Sequence, residues 1–318
     1  MAVYTQVSAE ALARFLAGFD HGELVSAKGI AEGVENSNYL VDTTAGRFIL
    51  TLYEKRVNAG DLPFFLAMLD HLAARGNAVP RALPDRNGVA IHELEGRPAC
   101  LIEFLPGVSV SHPTEAQAFA AGAAMGRMHE ALADFALVRE NSMGIDTWRP
   151  LFERCGRDLD GIAPGLYDGV GFALDDVLAG WPGHLPTGTI HADLFPDNVL
   201  MRGDTVTGLI DFYFACTDIR AYDLAIMHGA WSFDSTGAQI YPAIGQALIA
   251  GYQQAFGLLA EERAGLLYLS KGACVRFLLS RAWDWLNTPA GAMVTRKDPL
   301  AYLRRFKAYD IQGTALFG

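Results

Sequence analysis

At Pro106-Gly107 the apolar residues of this chain pass from mostly alternate to mostly helical spacing, and that change limits the fold to a sheet-rich part followed by a helical part. Before the break, Tyr39, Val41 and Thr43 alternate with polar neighbours, as do Phe48, Leu50 and Leu52 beyond the turn at Ala45-Gly46. Half-buried strands read this way. Residues 24–53 are therefore expected as strands, and Val89 to Glu93 and Ala99 to Leu105 as two more. Asp61 to Arg75 is the exception: Leu62, Phe65, Leu66, Leu69 and Leu72 have helical spacing, and Gly76 ends it. After the break, Phe119, Met125, Met128 and Leu132 share one stripe over Glu115 to Phe135. Further helices are expected over 149–160, 170–180, 221–230, 238–256, 261–287 and 298–308. The pattern predicts an α+β fold with domains 1–105 and 106–318.

A chain of 318 residues, 51% hydrophobic and 19% charged, buries a full core and is globular. Its net charge of -11 argues against nucleic acid or an anionic membrane as partner. Cys100, Cys155, Cys216 and Cys274 are scattered, with no Cys-x-x-Cys, as reduced core thiols are in a cytosolic protein. No basic-then-apolar signal peptide opens the chain; Ser8 to Phe19 reads as a capped amphipathic helix. The longest uncharged run, Ser235 to Ala260, is interrupted by Pro242 and several glycines, which predicts a buried helix and no membrane span. A cytoplasmic monomer or homodimer acting on a small molecule is the expectation.

The chemistry concentrates in His191-Ala192-Asp193-Leu194-Phe195-Pro196-Asp197-Asn198 and in Leu209-Ile210-Asp211-Phe212, each aspartate following an apolar strand pattern. Phosphoryl transfer from ATP needs a carboxylate to take a hydroxyl proton, and a carboxamide with a second carboxylate to hold magnesium. Asp193 is expected as the base, and Asn198 and Asp211 as ligands of Mg2+. Alone, Asp193 would read as a helix cap; the spacing to His191 and Asn198 turns the reading to catalysis. His191 is expected to tie this loop to the strand carrying Asp211. Asp197 stays unassigned, and Asp223 opens a helix as a cap.

The nucleotide segment is Gly29 to Asn38, between two strand patterns, with Gly33, Asn36, Ser37 and Asn38 placed to present backbone N–H groups to phosphate. Backbone groups at Glu103 and Leu105 are expected to meet adenine. In the late helices, Trp231, Asp234, Arg276, Arg281 and Asp284 are the candidates for the acceptor. An arginine would bind a carboxylate and an aspartate an ammonium; a plain salt-bridge face is the competing reading. Gly291 to Asp298, with Arg296 and Lys297, is either a loop near the site or surface.

These motifs resemble the aminoglycoside phosphotransferase-like branch of the protein-kinase-like enzymes, over nearly the whole chain. Within it the chain is similar to bacterial homoserine kinases, on Gly29 to Tyr39, Ile49-Leu50-Thr51-Leu52-Tyr53-Glu54, His191 to Asn198 and Ser280-Arg281-Ala282-Trp283-Asp284-Trp285. The resemblance implies a bilobal fold with ATP in the cleft, a small antiparallel-sheet lobe and a larger helical one. It implies ATP-dependent phosphorylation of the L-homoserine side-chain hydroxyl. It also implies that Asp223, in Asp-Leu-Ala, buttresses the catalytic loop. One departure stands out: Thr51 occupies the position of the usual phosphate-binding lysine, and 61–75 lacks the partnering glutamate. Lys28, Lys55 or Arg56 is expected as the substitute. The open alternatives are an aminoglycoside kinase, a choline kinase with a cage from Trp231, Trp283 and Trp285, a non-catalytic ATP-binding regulator, and a metal-dependent hydrolase.

Overall fold

The computed structural model describes residues 5–30, 36–54, 58–288 and 296–318. The chain divides into two compact units, Met1–Pro106 and Gly107–Gly318.

The first unit starts with α1 (Ala9–Leu16), whose N-terminus is capped by the Ser8 hydroxyl accepting from the Ala11 N–H. Strands β1 (Leu24–Gly29), β2 (Ser37–Thr43) and β3 (Arg47–Leu52) follow, then α2 (Leu62–Ala74) and strands β4 (Ala82–Leu83), β5 (His92–Leu94) and β6 (Arg97–Glu103). All pair antiparallel in the order β1-β2-β3-β6-β4, with β5 on β6. The alternation seen in the sequence sends Tyr39, Val41, Leu50 and Leu52 to one face, where they bury with Ala99 and Leu101 against Leu12, Leu16 and Phe19. The segment expected as a strand from Val89 pairs only from His92. The Asp85 carboxylate accepts the N–H groups of Asn87 and Val89, which turns that stretch into a loop. Glu95 and Gly96, with φ of 51° and 71°, then close a tight hairpin.

The second unit is mostly helical. It contains α3 (Glu115–Ala131), α4 (Ile145–Cys155) and α5 (Leu166–Gly180), then β7 (Thr187–Ile190), β8 (Val199–Arg202), β9 (Thr205–Leu209) and β10 (Cys216–Ile219). It closes with α6 (Arg220–Trp231), α7 (Pro242–Ala255), α8 (Ala260–Asn287) and α9 (Leu300–Gln312). Helix α4 starts four residues before the expected 149: Pro150 sits inside it rather than at its start. Helix α7 starts at Pro242 rather than 238, because proline's fixed φ suits the first helical position. Helices α3 and α7 approach at backbone distance, since a Cβ on Gly122 or Gly251 would lie 2.0 Å from the carbonyl of Leu248 or Phe119. All four cysteines are buried and free. Among the described residues no helix is long and apolar enough to cross a membrane.

Two antiparallel ribbons carry the segments of interest. Strand β10, which the sequence reading did not contain, pairs with β7 and fixes the entry to the His191 loop. Strands β8 and β9 form a hairpin whose register sets Val199 against Leu209.

Candidate active site

Register places the first pair of functional groups. Beyond Val199 and Leu209, the Ile210 N–H donates to the Asn198 carbonyl at 3.0 Å, so Asn198 and Asp211 flank the same end of one hairpin. Asp211 has φ 66°, a left-handed conformation that turns the chain sharply out of the ribbon. The Asn198 amide Nδ2 donates to the Asp193 carbonyl at 2.8 Å, which ties the hairpin to the loop and leaves Oδ1 as the acceptor of that side chain.

The loop itself is held from three sides. His191 is buried; its Nε2–H donates to the Ile210 carbonyl at 3.0 Å, and its Nδ1 accepts the Asp193 N–H at 3.3 Å. That pattern is the neutral tautomer. Burial, against the attraction of the Asp223 charge, lowers the ring's pKa and keeps it neutral. The ring thus links the loop to the segment bearing Asp211, as the sequence reading expected. Asp223 is fully buried on α6 and accepts the N–H groups of His191 and Ala192, both at 2.8 Å, and His129 Nε2 at 3.1 Å. Burial would raise its pKa, but the bonds from His129 and the loop amides hold the carboxyl below its ordinary value. From α8, Arg276 Nη1 donates to the Ala192 carbonyl at 2.6 Å. From α6, the Trp231 indole donates to the Leu194 carbonyl at 3.0 Å.

Asp193 is thereby half-buried with its backbone fixed. Burial pushes its carboxyl pKa up to about 8; Arg276 and Lys297 hold it down, while Asp211 and Asp197 push it further up. Among the described residues no group of three or more His, Cys, Asp or Glu is placed to hold a metal. A hard divalent cation with phosphate and water as further ligands needs fewer protein groups, and the carboxylate of Asp211 with the Oδ1 of Asn198 suits it. The repulsion between Asp193 and Asp211 points the same way, because a cation beside Asp211 relieves it.

On the first unit, Ser37 and Asn38 open β2 and Asn36 lies just before it. Asn36 Oδ1 accepts the Glu54 N–H at 3.3 Å, the Ser37 hydroxyl donates to Glu54 at 2.7 Å, and Asn38 Oδ1 accepts the Thr51 hydroxyl at 2.7 Å. Thr51, in the usual lysine position, is therefore spent on its neighbouring strand. Glu54 is buried and pairs with Arg97 at 3.2 Å, an ion pair the sequence reading missed because the two are 43 positions apart. Lys28 is exposed on β1, while Gly33, Lys55 and Arg56 lie outside the described residues. The Glu103 side chain grips Arg81 at 2.6 Å and its N–H donates to the Arg81 carbonyl; Leu105 lies just past the strand.

The acceptor candidates separate. Trp231 is 1% exposed, Trp283 stacks on Arg154 at 4.0 Å, and Arg296 lies 5.7 Å from the Trp285 ring, so the three tryptophans are engaged separately and form no common cage. Asp234 folds its own loop, accepting from Gln239 N–H at 3.0 Å and the Thr236 hydroxyl at 2.6 Å. Asp284 and Arg281 are half-buried on α8, and Arg281 donates to the Asp298 carbonyl at 3.3 Å. Arg305, with no mark in the sequence to separate it from Arg304, is 4% exposed on α9 and donates to the Asp234 carbonyl at 2.8 Å.

Residues 26–265 match the phosphotransferase enzyme family, and the chain belongs to that family. It is 49% identical to the homoserine kinase of Xanthobacter autotrophicus over 99% of this chain and 98% of that one. It is 52% identical to the homoserine kinase of Nitrobacter winogradskyi, covering 96% and 94% of the two chains. Among solved structures it superposes on an amicoumacin kinase, in complex with AMP-PNP and Ca2+, with a TM-score of 0.72 at 16% identity over 98% and 96% of the chains. A spectinomycin phosphotransferase in complex with ADP gives 0.71 at 14% identity over 98% and 100%. The fold is that of these kinases.

Proposed function

We propose that this chain transfers the γ-phosphoryl group of ATP to the side-chain hydroxyl of L-homoserine, giving O-phospho-L-homoserine and ADP. The observation that carries the reading is half identity, over nearly the full length, to homoserine kinases from several bacteria. Membership of the phosphotransferase family supports the reaction class, and with it the use of ATP.

The geometry of the loop and hairpin supports the following roles. Asp193 orients the acceptor hydroxyl and takes its proton as the oxygen bonds to phosphorus and the bond from phosphorus to the ADP oxygen breaks. Asn198 and Asp211 would hold Mg2+, which supplies positive charge against the phosphate oxygens. His191, Asp223, Arg276 and Trp231 keep the loop in place, so that Asp193 needs no rearrangement to act. Backbone groups of 33–38 bind the phosphates, and those at Glu103 and Leu105 bind adenine. Asp234 or Asp284 meets the acceptor ammonium.

A coupled ADP-release assay across L-homoserine, L-serine, L-threonine, choline and kanamycin tests the reading. ADP release that depends on L-homoserine is expected. Turnover of choline or kanamycin with none of homoserine overturns the substrate, and nucleotide binding without turnover of any acceptor overturns the kinase.

A further inference from the structure

Three arginines gather around one aromatic stack in the second unit with no carboxylate in direct contact with any of them among the described residues. Phe277 of α8 stacks on Tyr302 of α9 at 5.0 Å and 24°. The guanidinium of Arg276 lies 4.6 Å from the Phe277 ring, and those of Arg281 and Arg305 lie 4.6 and 4.4 Å from the Tyr302 ring. Their hydrogen bonds go to carbonyls: Ala192 for Arg276, Asp298 for Arg281 and Asp234 for Arg305. Among the described residues none of the three forms an ion pair with a carboxylate. Elsewhere in the same unit the buried Lys271 is paired with Asp176 and Asp310, and the half-buried Arg220 with Glu262 at 3.1 Å.

Polar atoms are also left over. Arg305 is 4% exposed, and its Nε and Nη1 have no hydrogen-bond partner; Tyr302 is 1% exposed, and its hydroxyl has none either. Burying a guanidinium without a counter-charge is costly, and an anionic ligand beside it would offset that cost. The cluster adjoins the loop that carries Asp193, since Arg276 donates to the Ala192 carbonyl at 2.6 Å and the Phe277 ring lies 5.1 Å from that of Phe195. Arg276 is committed to the loop, whereas Arg281 is half-buried and reachable.

We propose that Arg281 binds the carboxylate of the amino-acid acceptor, and that Arg305 and Tyr302 behind it act as positioning residues that supply the second positive charge and fix the Arg281 guanidinium. This rests on the function proposed above and deepens it: the cluster selects acceptors that carry an anionic group beside the reactive hydroxyl. Arg281 touches the substrate. Arg305 acts through the field it adds and through the Tyr302 ring that both arginines share.

The test compares L-homoserine with 3-aminopropan-1-ol, the same acceptor without its carboxylate, in the wild type and in Arg281→Met, Arg305→Met, Arg305→Lys and Tyr302→Phe. Wild-type turnover of homoserine comes first; its absence would refute the proposed function rather than the cluster. Arg281→Met should lower the preference for homoserine by roughly 100-fold, through KM for homoserine rather than kcat or KM for ATP, as the loss of a charged hydrogen bond does. Arg305→Met should lower it by roughly tenfold, with Arg305→Lys restoring most of the loss because charge is what it supplies. If Arg305→Met folds poorly, the rise in melting temperature that homoserine gives the wild type should still be smaller in Arg281→Met and Tyr302→Phe. Equal losses for both acceptors would overturn the proposal. So would a change confined to KM for ATP, which would mean that the cluster binds a phosphoryl group.

Discussion

Asp223 fixes Ala192 in a conformation that an L-residue seldom adopts. Ala192 has φ 63° and lies immediately before the proposed base, and the Asp223 carboxylate accepts its N–H at 2.8 Å. On the other side of the same residue, Arg276 donates to its carbonyl at 2.6 Å. A left-handed alanine costs about 1–2 kcal/mol, so the strain persists only because both its peptide groups are held. The loop is set before any substrate arrives, and Asp223→Asn should unset it. The amide keeps one acceptor but directs N–H groups at a loop N–H. We expect kcat to fall on the order of 100-fold, with KM for ATP little changed and a lowered melting temperature. A variant with wild-type kcat would show that the grip is dispensable.

Asp193→Asn and Asp193→Ala should abolish acceptor phosphorylation while leaving nucleotide affinity largely intact. Loss of a general base costs on the order of 100- to 10,000-fold in rate, and the carboxylate is assigned to the hydroxyl rather than to the nucleotide. ADP release and nucleotide binding measured on both variants decide this, and near wild-type turnover removes Asp193 from the mechanism.

Asp211→Ala should raise the magnesium concentration needed at saturating ATP, and Asn198→Ala should do so more mildly. The expected shift for Asp211 exceeds the roughly 10- to 100-fold that losing an outer-shell partner of a metal costs. Asn198 also tethers the loop through the Asp193 carbonyl, so its alanine variant should lose kcat as well. A magnesium titration with an unchanged midpoint for Asp211→Ala would place the metal elsewhere.

The loop and the strand before Asp211 were legible because the chemistry fixes residue types at short separations: His191, Asp193 and Asn198 lie within eight residues, whereas strand β8, whose register with β9 carries Asp211 back to Asn198, was not expected. What holds the loop was less so. Arg276 meets Ala192 across 84 residues, and nothing in helical spacing distinguishes an arginine that crosses to a carbonyl from one on a salt-bridge face. Strand β10 was missed because Cys216 to Ile219 is too short to show a period, and only its pairing with β7 makes it a strand. Arg305 is hidden for a related reason. Its burial depends on how α9 packs on α8, and in sequence it is one of two adjacent arginines.

His228 provides a stability prediction away from the active site. It is 1% exposed on α6, its Nδ1 meets the Tyr309 hydroxyl at 2.7 Å, and burial lowers its pKa from 6.5 to about 4. The folded chain therefore keeps this ring neutral while the unfolded chain protonates it below about pH 6.5. The sign follows: its contribution is fully present above 6.5 and is lost as pH falls from there toward about 4, by roughly 3 kcal/mol in total. His191 titrates in the same direction and adds to the acid limb. His228→Asn removes the titration while keeping a polar partner for Tyr309. Urea unfolding of wild type and variant near pH 7 and near pH 4 should show the variant losing less stability on acidification, by up to about 3 kcal/mol. Parallel profiles would mean that His228 is protonated in the folded chain and that its burial carries no acid penalty.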